Sequence, residues 1–198
     1  MSQAIREIAV EGLSNPEQFR SMVAEACEPV VLRGLVCNWP CVAAARQSAA
    51  AFRAYLAGFD SGRDTEAFFG PPGIAGRYYY GDGPGGFNFE RRRMRFGDAV
   101  DAILHGIETP GASSVYVGSL PVDDHLPGFS GRNPMPLVPP STGARLWLGT
   151  AAHIACHYDA FDNIVCVVAG TRRFTLYPPE AIGNLYVGRS TTPWRASR

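Results

Sequence analysis

Short apolar segments rich in β-branched residues follow one another in the last third of the chain, and this pattern constrains the fold more than any other feature. Turn residues separate the segments, and Gly170 lies in the tightest of these turns. Four consecutive strands are expected, at residues 145–149, 154–159, 163–169 and 172–177. The pair Pro178-Pro179 should end the last strand, because proline has no amide proton to donate to a sheet. Strands joined by such short turns predict an antiparallel sheet.

The first part of the chain mixes helices with single strands. A capping-box pattern, Ser14-Asn-Pro-Glu17, predicts a helix that runs to about Ala26. Further helices are expected at 42–57, restarted by Ser48 and ended by Gly58, and at 96–104, stopped by Gly106. Further strands are expected at 29–35, 66–69, 77–80 and 115–118. Residues 81–86 and 121–142 are rich in glycine and proline, and both segments are expected to be loops.

Composition limits the class of protein. The 198 residues suit one domain, and 18 acidic residues balance 18 basic ones, so neither nucleic acid nor a charged membrane is an expected partner. Arg91–Arg93 with Arg95 form a basic cluster, which we interpret as a solvated face rather than an anion-binding patch. The five cysteines are expected to be free thiols. With no signal-peptide pattern and no apolar run near 20 residues, we expect a cytoplasmic location.

One motif, His157-X-Asp159, suggests a metal site. His157 and Asp159 are two residues apart, and such residues project from the same face of a strand. An imidazole and a carboxylate are two of the three ligands in the facial triad that holds non-haem Fe(II). His153 and His157 would instead suit a zinc site on a helix, but the accompanying glutamate is missing, so His153 is expected to be a loop or edge histidine.

Two polar positions near the motif are open to more than one interpretation. Of Arg172 and Arg173, one should point inward on a strand, where it could pair with an anionic cosubstrate; otherwise both are exposed hairpin arginines. Asn163 could form a hydrogen bond beside the metal, or it could cap the turn.

Residues 28–188 resemble the cupin-like JmjC group of Fe(II)/2-oxoglutarate oxygenases, the group of the factor-inhibiting-HIF-type hydroxylases. The segment around the His-X-Asp motif carries most of the resemblance. The matching runs are His157-Tyr-Asp-Ala-Phe-Asp-Asn163, Val168-Ala-Gly-Thr-Arg-Arg-Phe-Thr-Leu-Tyr-Pro-Pro179, Asn184-Leu-Tyr-Val-Gly188, Glu28-Pro-Val-Val-Leu-Arg-Gly34 with Trp39-Pro40, Tyr116-Val-Gly-Ser-Leu-Pro121 and His125-Leu-Pro-Gly128.

The resemblance implies a mostly β fold with flanking helices, a double-stranded β-helix of the cupin or jelly-roll type. It implies Fe(II) held by His157 and Asp159, with 2-oxoglutarate as cosubstrate. Arg172 and Tyr116 would bind the distal carboxylate of 2-oxoglutarate, and Asn163 would lie near the cosubstrate. The implied activity is hydroxylation of a protein side chain or a small molecule, which the sequence does not identify. A homodimer is one option for the assembly.

The C-terminus departs from the family pattern. After Gly188 the family continues to a distal histidine ligand, whereas residues 189–198 contain no histidine. We therefore expect an N-terminal helical segment over 1–27, a partial cupin-like JmjC domain over 28–188 and an off-family tail over 189–198, from a truncated or frameshifted gene. Little or no turnover is expected of the chain by itself. The alternatives are a non-catalytic cupin-fold binding module or remnant, and an unrelated zinc protein.

Overall fold

The computed structural model describes residues 5–13, 15–79, 86–139 and 141–184. The predicted cap Ser14, most of the predicted 81–86 loop and the 189–198 tail lie outside these ranges. The strands are β1 Arg6–Ala9, β2 Val30–Arg33, β3 Asp64–Gly70, β4 Glu90–Arg95, β5 Ser114–Pro121 and β6 Arg145–Gly149. The helices are α1 Pro16–Met22, α2 Pro40–Gln47, α3 Ala49–Ala57, α4 Phe96–Glu108, α5 Val122–His125 and α6 Phe129–Arg132. Short 3-10 segments span Val10–Gly12, Ala24–Ala26, Pro72–Ile74 and Pro179–Asn184.

The N-terminal helix is capped by Asn15, one residue after Ser14, the cap that the capping-box pattern predicts. The Asn15 side chain accepts a hydrogen bond of 3.0 Å from the Gln18 amide, which satisfies one of the free donors of the first turn. Pro16 takes the first helical position, where its missing amide proton is not needed. The helix ends at Met22, and a separate 3-10 turn continues to Ala26, where we expected one longer helix.

The helix predicted at 42–57 is two helices that meet at Ser48. The Ser48 hydroxyl accepts a hydrogen bond of 3.0 Å from the Ala51 amide and so caps α3, as the sequence predicts. Gly58 follows α3 as its C-cap, also as predicted. Across the part of the chain that the structure describes, no helix combines the length and the apolar composition needed to cross a bilayer.

The predicted end of α4 at Gly106 is wrong, because the helix continues to Glu108. A Cβ atom on Gly106 would lie 3.0 Å from the Thr150 side chain and 3.2 Å from the Ser113 carbonyl oxygen. Glycine at this position lets the helix pass close to the chain that follows β6. The residue therefore serves packing and does not end the helix.

The strands form two sheets. β1 and β2 pair in parallel, and the main sheet is antiparallel in the order β4-β3-β5-β6. The strands predicted at 29–35, 66–69, 115–118 and 145–149 are confirmed. The antiparallel sheet was predicted for the strands after residue 145, but of those only β6 takes part in the sheet observed. At the predicted strand 77–80, Arg77 forms only an isolated bridge with His153.

β1 and β4 were not expected from the sequence. Four of the six residues of β4 are arginines, which conceals its strand character. The strand is stable in spite of its charge because outward-facing arginines meet carboxylates across the ladder to β3. Arg91 donates to both oxygens of Glu66 over 2.7–3.0 Å, and Arg93 Nε lies 3.4 Å from Asp64 Oδ2. The arginines of this cluster are exposed to solvent.

The main hydrophobic core lies between one face of the main sheet and helices α2, α3 and α4. Phe96 and Leu56, both 1% exposed, are the largest side chains that it buries completely, together with Leu126. Val115 and Val117 of β5 point into this core, so the residues between and beside them face the other side of the sheet.

The strands predicted at 154–159, 163–169 and 172–177 are wrong, since the structure has no strand in any of these segments. The period-2 pattern still has an effect at one of them. Val168 packs against the main core and Ile164 against a smaller apolar cluster, whereas Val165 and Val167 between them are 53% and 41% exposed. The smaller cluster buries Leu13, Val23 and Leu137. A strand also requires a neighbour for its backbone donors and acceptors, and these segments have no ladder partner among the described residues.

The proline-rich segment 121–142 contains two short helices, α5 and α6, where we expected only loop. Its main attachment is Asn133, a polar side chain that is 3% exposed. Its Oδ1 accepts a hydrogen bond from the Cys41 amide at 3.1 Å, and its Nδ2 donates to Tyr55 Oη and to the Phe129 carbonyl oxygen, both at 2.9 Å. These bonds give the buried Asn133 side chain a partner for both its oxygen and its nitrogen. The bonds with Cys41 and Tyr55 also link the segment to α2 and α3.

All five cysteines are free thiols, as expected, and they differ in burial. Desolvation raises the pKa of the Cys41 and Cys166 thiols to about 11, whereas Cys27, Cys37 and Cys156 are exposed. Because the thiolate is the reactive form, we expect the three exposed thiols to react rapidly with Ellman's reagent at pH 8 and the other two only in urea. Rapid reaction of all five thiols in the native protein would contradict this packing.

Candidate functional site

Aromatic rings cover the face of the main sheet that points away from the helices. Tyr116 on β5 lies opposite Phe68 on β3, with 6.2 Å between the ring centroids. Tyr78 lies 5.8 Å from Tyr116 and 5.3 Å from Phe89, measured between centroids. We call Phe68, Tyr78, Phe89 and Tyr116 the aromatic cluster. It provides an apolar wall on which polar groups of a ligand could be oriented.

Two glycines leave room for the Tyr116 ring. A Cβ atom on Gly149 would lie 2.9 Å from Tyr116 Cδ2, and one on Gly118 would lie 3.0 Å from Tyr116 Cε1. Both distances are shorter than ordinary carbon contacts, so a larger residue at either position would displace the ring. The glycines thereby fix where the phenol group can lie.

Tyr116 is a neutral hydrogen-bond donor near neutral pH. Burial raises the pKa of its phenol, and the positive charge of Arg172 acts in the opposite direction. Burial also raises the pKa of Tyr78, which donates a hydrogen bond of 3.0 Å to the Ser114 hydroxyl. Arg172 therefore lies within electrostatic range of the Tyr116 phenol.

His157 and Asp159 also lie together. His157 Nε2 is 4.0 Å from Asp159 Oδ1. The Nδ1 atom of His157 lies 2.8 Å from the Ala155 carbonyl oxygen, which can only accept, so Nδ1 carries the proton. In the neutral form of this ring the lone pair is then on Nε2, the atom that faces the carboxylate. A neutral imidazole of this tautomer is a metal ligand, and its Nδ1–H bond fixes the ring.

Asn163 binds the Asp159 carboxylate through Oδ2, the oxygen that does not face His157. Its Nδ2 donates a hydrogen bond of 3.0 Å to Asp159 Oδ2, and a second one of 3.3 Å to the Phe161 carbonyl oxygen. Oδ1 of Asp159 stays available on the side of His157. The three residues form a local unit in which one nitrogen and one oxygen are free to bind a cation.

The unit is open to solvent and provides two ligands. The side chains of His157 and Asp159 are each 60% exposed. Within the ranges that the structure describes, no group of three or more His, Cys, Asp or Glu side chains is arranged to hold a metal ion. His153, the alternative zinc ligand, is exposed and is held through its backbone amide, which donates to the Gly76 carbonyl oxygen at 3.0 Å.

A sequence model of the cupin-like domain matches residues 16–197, which is most of the chain. The chain belongs to the cupin-like domain family. This family includes 2-oxoglutarate oxygenases. The antiparallel main sheet with its packed helices is consistent with a cupin-like domain.

A segment of 64 residues is 39% identical to HSPB1-associated protein 1 from Rattus norvegicus, Mus musculus and Homo sapiens. The alignment covers 31% of this chain and 12% of each of those proteins. The similarity therefore concerns a small part of much longer proteins.

Tyr78, Phe68 and the glycines beside Tyr116 belong to the site in this cupin-like domain but were not expected there from the sequence. Tyr78 lies in a run of tyrosines that we predicted to be a strand, which was the available signal. The contact between Tyr78 and Tyr116 joins residues far apart in the chain, so no local pattern predicts it.

Proposed function

We propose that this cupin-like domain is of the Fe(II)- and 2-oxoglutarate-dependent oxygenase type, with His157 and Asp159 as metal ligands. The geometry of this pair carries the proposal. Neighbouring ligands of a facial triad, each about 2.1 Å from the metal, lie about 3 Å apart. The 4.0 Å between His157 Nε2 and Asp159 Oδ1 would therefore have to shorten by about 1 Å on metal binding, which rotation of these two exposed side chains allows. The third ligand of a facial triad is not assigned to any described residue.

The donor types fit Fe(II). A neutral imidazole nitrogen and a carboxylate oxygen are the ligands that non-haem iron takes in a facial triad. The hydrogen bonds from His157 to the Ala155 carbonyl and from Asn163 to Asp159 orient both ligands before a metal binds. Bound Fe(II) with 2-oxoglutarate would supply the oxidising chemistry for hydroxylating a C–H bond of the substrate.

Arg172 and Tyr116 suit the distal carboxylate of 2-oxoglutarate. The guanidinium can donate two hydrogen bonds to a carboxylate, and the neutral phenol of Tyr116 can donate a third. Arg172 and Arg173 are both exposed in the structure, so the aromatic cluster would shield from water mainly the bond from the half-buried Tyr116 phenol. The reacting substrate would be a protein side chain or a small molecule.

A second candidate is a binding module of the same fold without turnover. The 60% exposure of both proposed metal ligands favours it, because an open site excludes water poorly. Iron-dependent conversion of 2-oxoglutarate to succinate separates the two candidates. We expect little or no succinate from this chain alone, since only two ligands are assigned.

Replacing Arg172 with glutamine should weaken 2-oxoglutarate binding. We expect a loss of about 30-fold, or ~2 kcal/mol, because a charge-assisted pair of hydrogen bonds is removed. Isothermal titration calorimetry with Mn(II) in place of Fe(II) measures the affinity without oxidation. Arg173→Gln is the matched control and should bind like the wild type.

Two results would count against the proposal. One is 2-oxoglutarate binding that does not depend on the metal. The other is equal binding by the Arg172→Gln and Arg173→Gln variants, which would remove Arg172 from the site.

A further inference from the structure

A cleft of about 450 Å³ opens where β3 begins and β4 ends. It lies at the other end of the β3–β4 ladder from Phe68 and Phe89, which belong to the aromatic cluster. The residues that line it are Arg63, Asp64, Arg93, Arg95 and His125. Its volume is in the range of pockets that hold small ligands. Three guanidinium groups and one carboxylate give it a surplus of positive charge.

The surplus results from uneven pairing along β4. At one end, Arg91 donates to both oxygens of Glu66, so both groups are satisfied. At the cleft, Arg93 and Arg95 share the single carboxylate of Asp64, with Nε–O distances of 3.4 and 3.7 Å. Contacts of this length leave most guanidinium N–H groups available to another acceptor.

Arg63 has still fewer partners. No side-chain hydrogen bond or ion pair joins its guanidinium to another described residue, although its backbone oxygen accepts from the Phe96 amide at 3.1 Å. The backbone thus holds Arg63 at the cleft, and its side chain is free to bind an anion.

The remaining walls of the cleft are fixed. Arg95 donates a hydrogen bond to the Gly62 carbonyl oxygen, which anchors its side chain beside the cleft. The His125 ring lies between two backbone oxygens, and a ring N–H can donate to either: Nδ1 is 3.1 Å from Pro121 O and Nε2 is 3.2 Å from Asp64 O. Anchored side chains lose less conformational entropy when a ligand binds.

We infer that this cleft binds the phosphate group of a small phosphorylated ligand. A phosphate group carries a charge of roughly −1.5 to −2 and three strong acceptor oxygens, which match the surplus charge and the free N–H groups. Guanidinium groups bind such oxygens in pairs. This site would be separate from the metal and 2-oxoglutarate residues, and it does not depend on their proposed roles.

Calorimetric titration of the full chain with inorganic phosphate tests the inference. The Arg63→Gln variant should bind phosphate about 10-fold more weakly, as expected for the loss of one charge-assisted hydrogen bond. Arg46→Gln, which removes an exposed arginine of α2, is the control and should not change the affinity. Raising the salt concentration should weaken binding by the wild type.

The phosphate affinity of the Arg93→Gln variant is a second test of the cleft, at an exposed arginine. This variant should also bind phosphate more weakly. Absence of phosphate binding, equal affinities of the Arg63→Gln and Arg46→Gln variants, or equal binding of the dicarboxylate malonate would each overturn the assignment.

Discussion

Replacing Asp159 with alanine is expected to lower the affinity of the chain for Mn(II) by more than about 100-fold. Loss of a residue that only orients a ligand costs about 10- to 100-fold in metal affinity, and loss of the ligand itself costs more. With Asp159 removed, His157 would be the single assigned ligand. Electron paramagnetic resonance of free Mn(II) measures the affinity directly.

The chain provides matched controls for this experiment. Asp162→Ala removes an exposed carboxylate three residues from Asp159 and should leave Mn(II) affinity unchanged. His153→Ala should also leave it unchanged, and a loss there would instead support a zinc-type site of His153 and His157. Equal Mn(II) affinities of the Asp159→Ala and Asp162→Ala variants would contradict the proposed metal site.

Phe96→Ala is expected to lower the free energy of unfolding by about 3–5 kcal/mol, the usual cost of truncating a buried phenylalanine. Phe96 begins α4, is 1% exposed and packs in the main core. Its removal leaves a cavity between the helices and the main sheet. Urea unfolding followed by circular dichroism gives the difference in free energy.

Ile107→Ala is the control on the same helix, because Ile107 is 62% exposed. Its effect should stay within about 0.5 kcal/mol. If the two variants were equally stable, α4 would not pack on the sheet through the face that contains Phe96.

Elements with local signals could be predicted from the sequence. The cap at Ser48 and the strand at Arg145–Gly149 each depend on residues close together in the chain, and the start of α1 was predicted to within one residue of its observed cap, Asn15. β4 could not be predicted, since its arginines are accommodated by Asp64 and Glu66 on a different strand. The strands wrongly predicted after residue 153 show the opposite case. Their alternation of apolar and polar residues is typical of a strand, but a strand also needs a neighbouring strand to pair with, and the described residues provide none.

Part of the candidate site could also be predicted from local sequence, and part depends on the tertiary fold. The proximity of His157 and Asp159 was predicted from their spacing on a strand, and they lie together although no strand forms there. Local hydrogen bonds to Ala155 and from Asn163 hold them instead. The assembly of Tyr78 with Tyr116 depends on the tertiary fold, so the sequence alone did not show it. The roles of these residues in binding a metal or cosubstrate stay predictions.

Asn133 has a consequence for how a ligand could enter. Its amide bonds the proline-rich segment to both α2 and α3 in a region closed to water. Swinging that part of the segment outward would break the bond from the Cys41 amide and the bond to the Tyr55 hydroxyl, and the loss of hydrogen bonds in a largely buried region is costly. This stretch therefore behaves as a stationary wall and not as a gate, so any selection among ligands that it makes is by fixed shape.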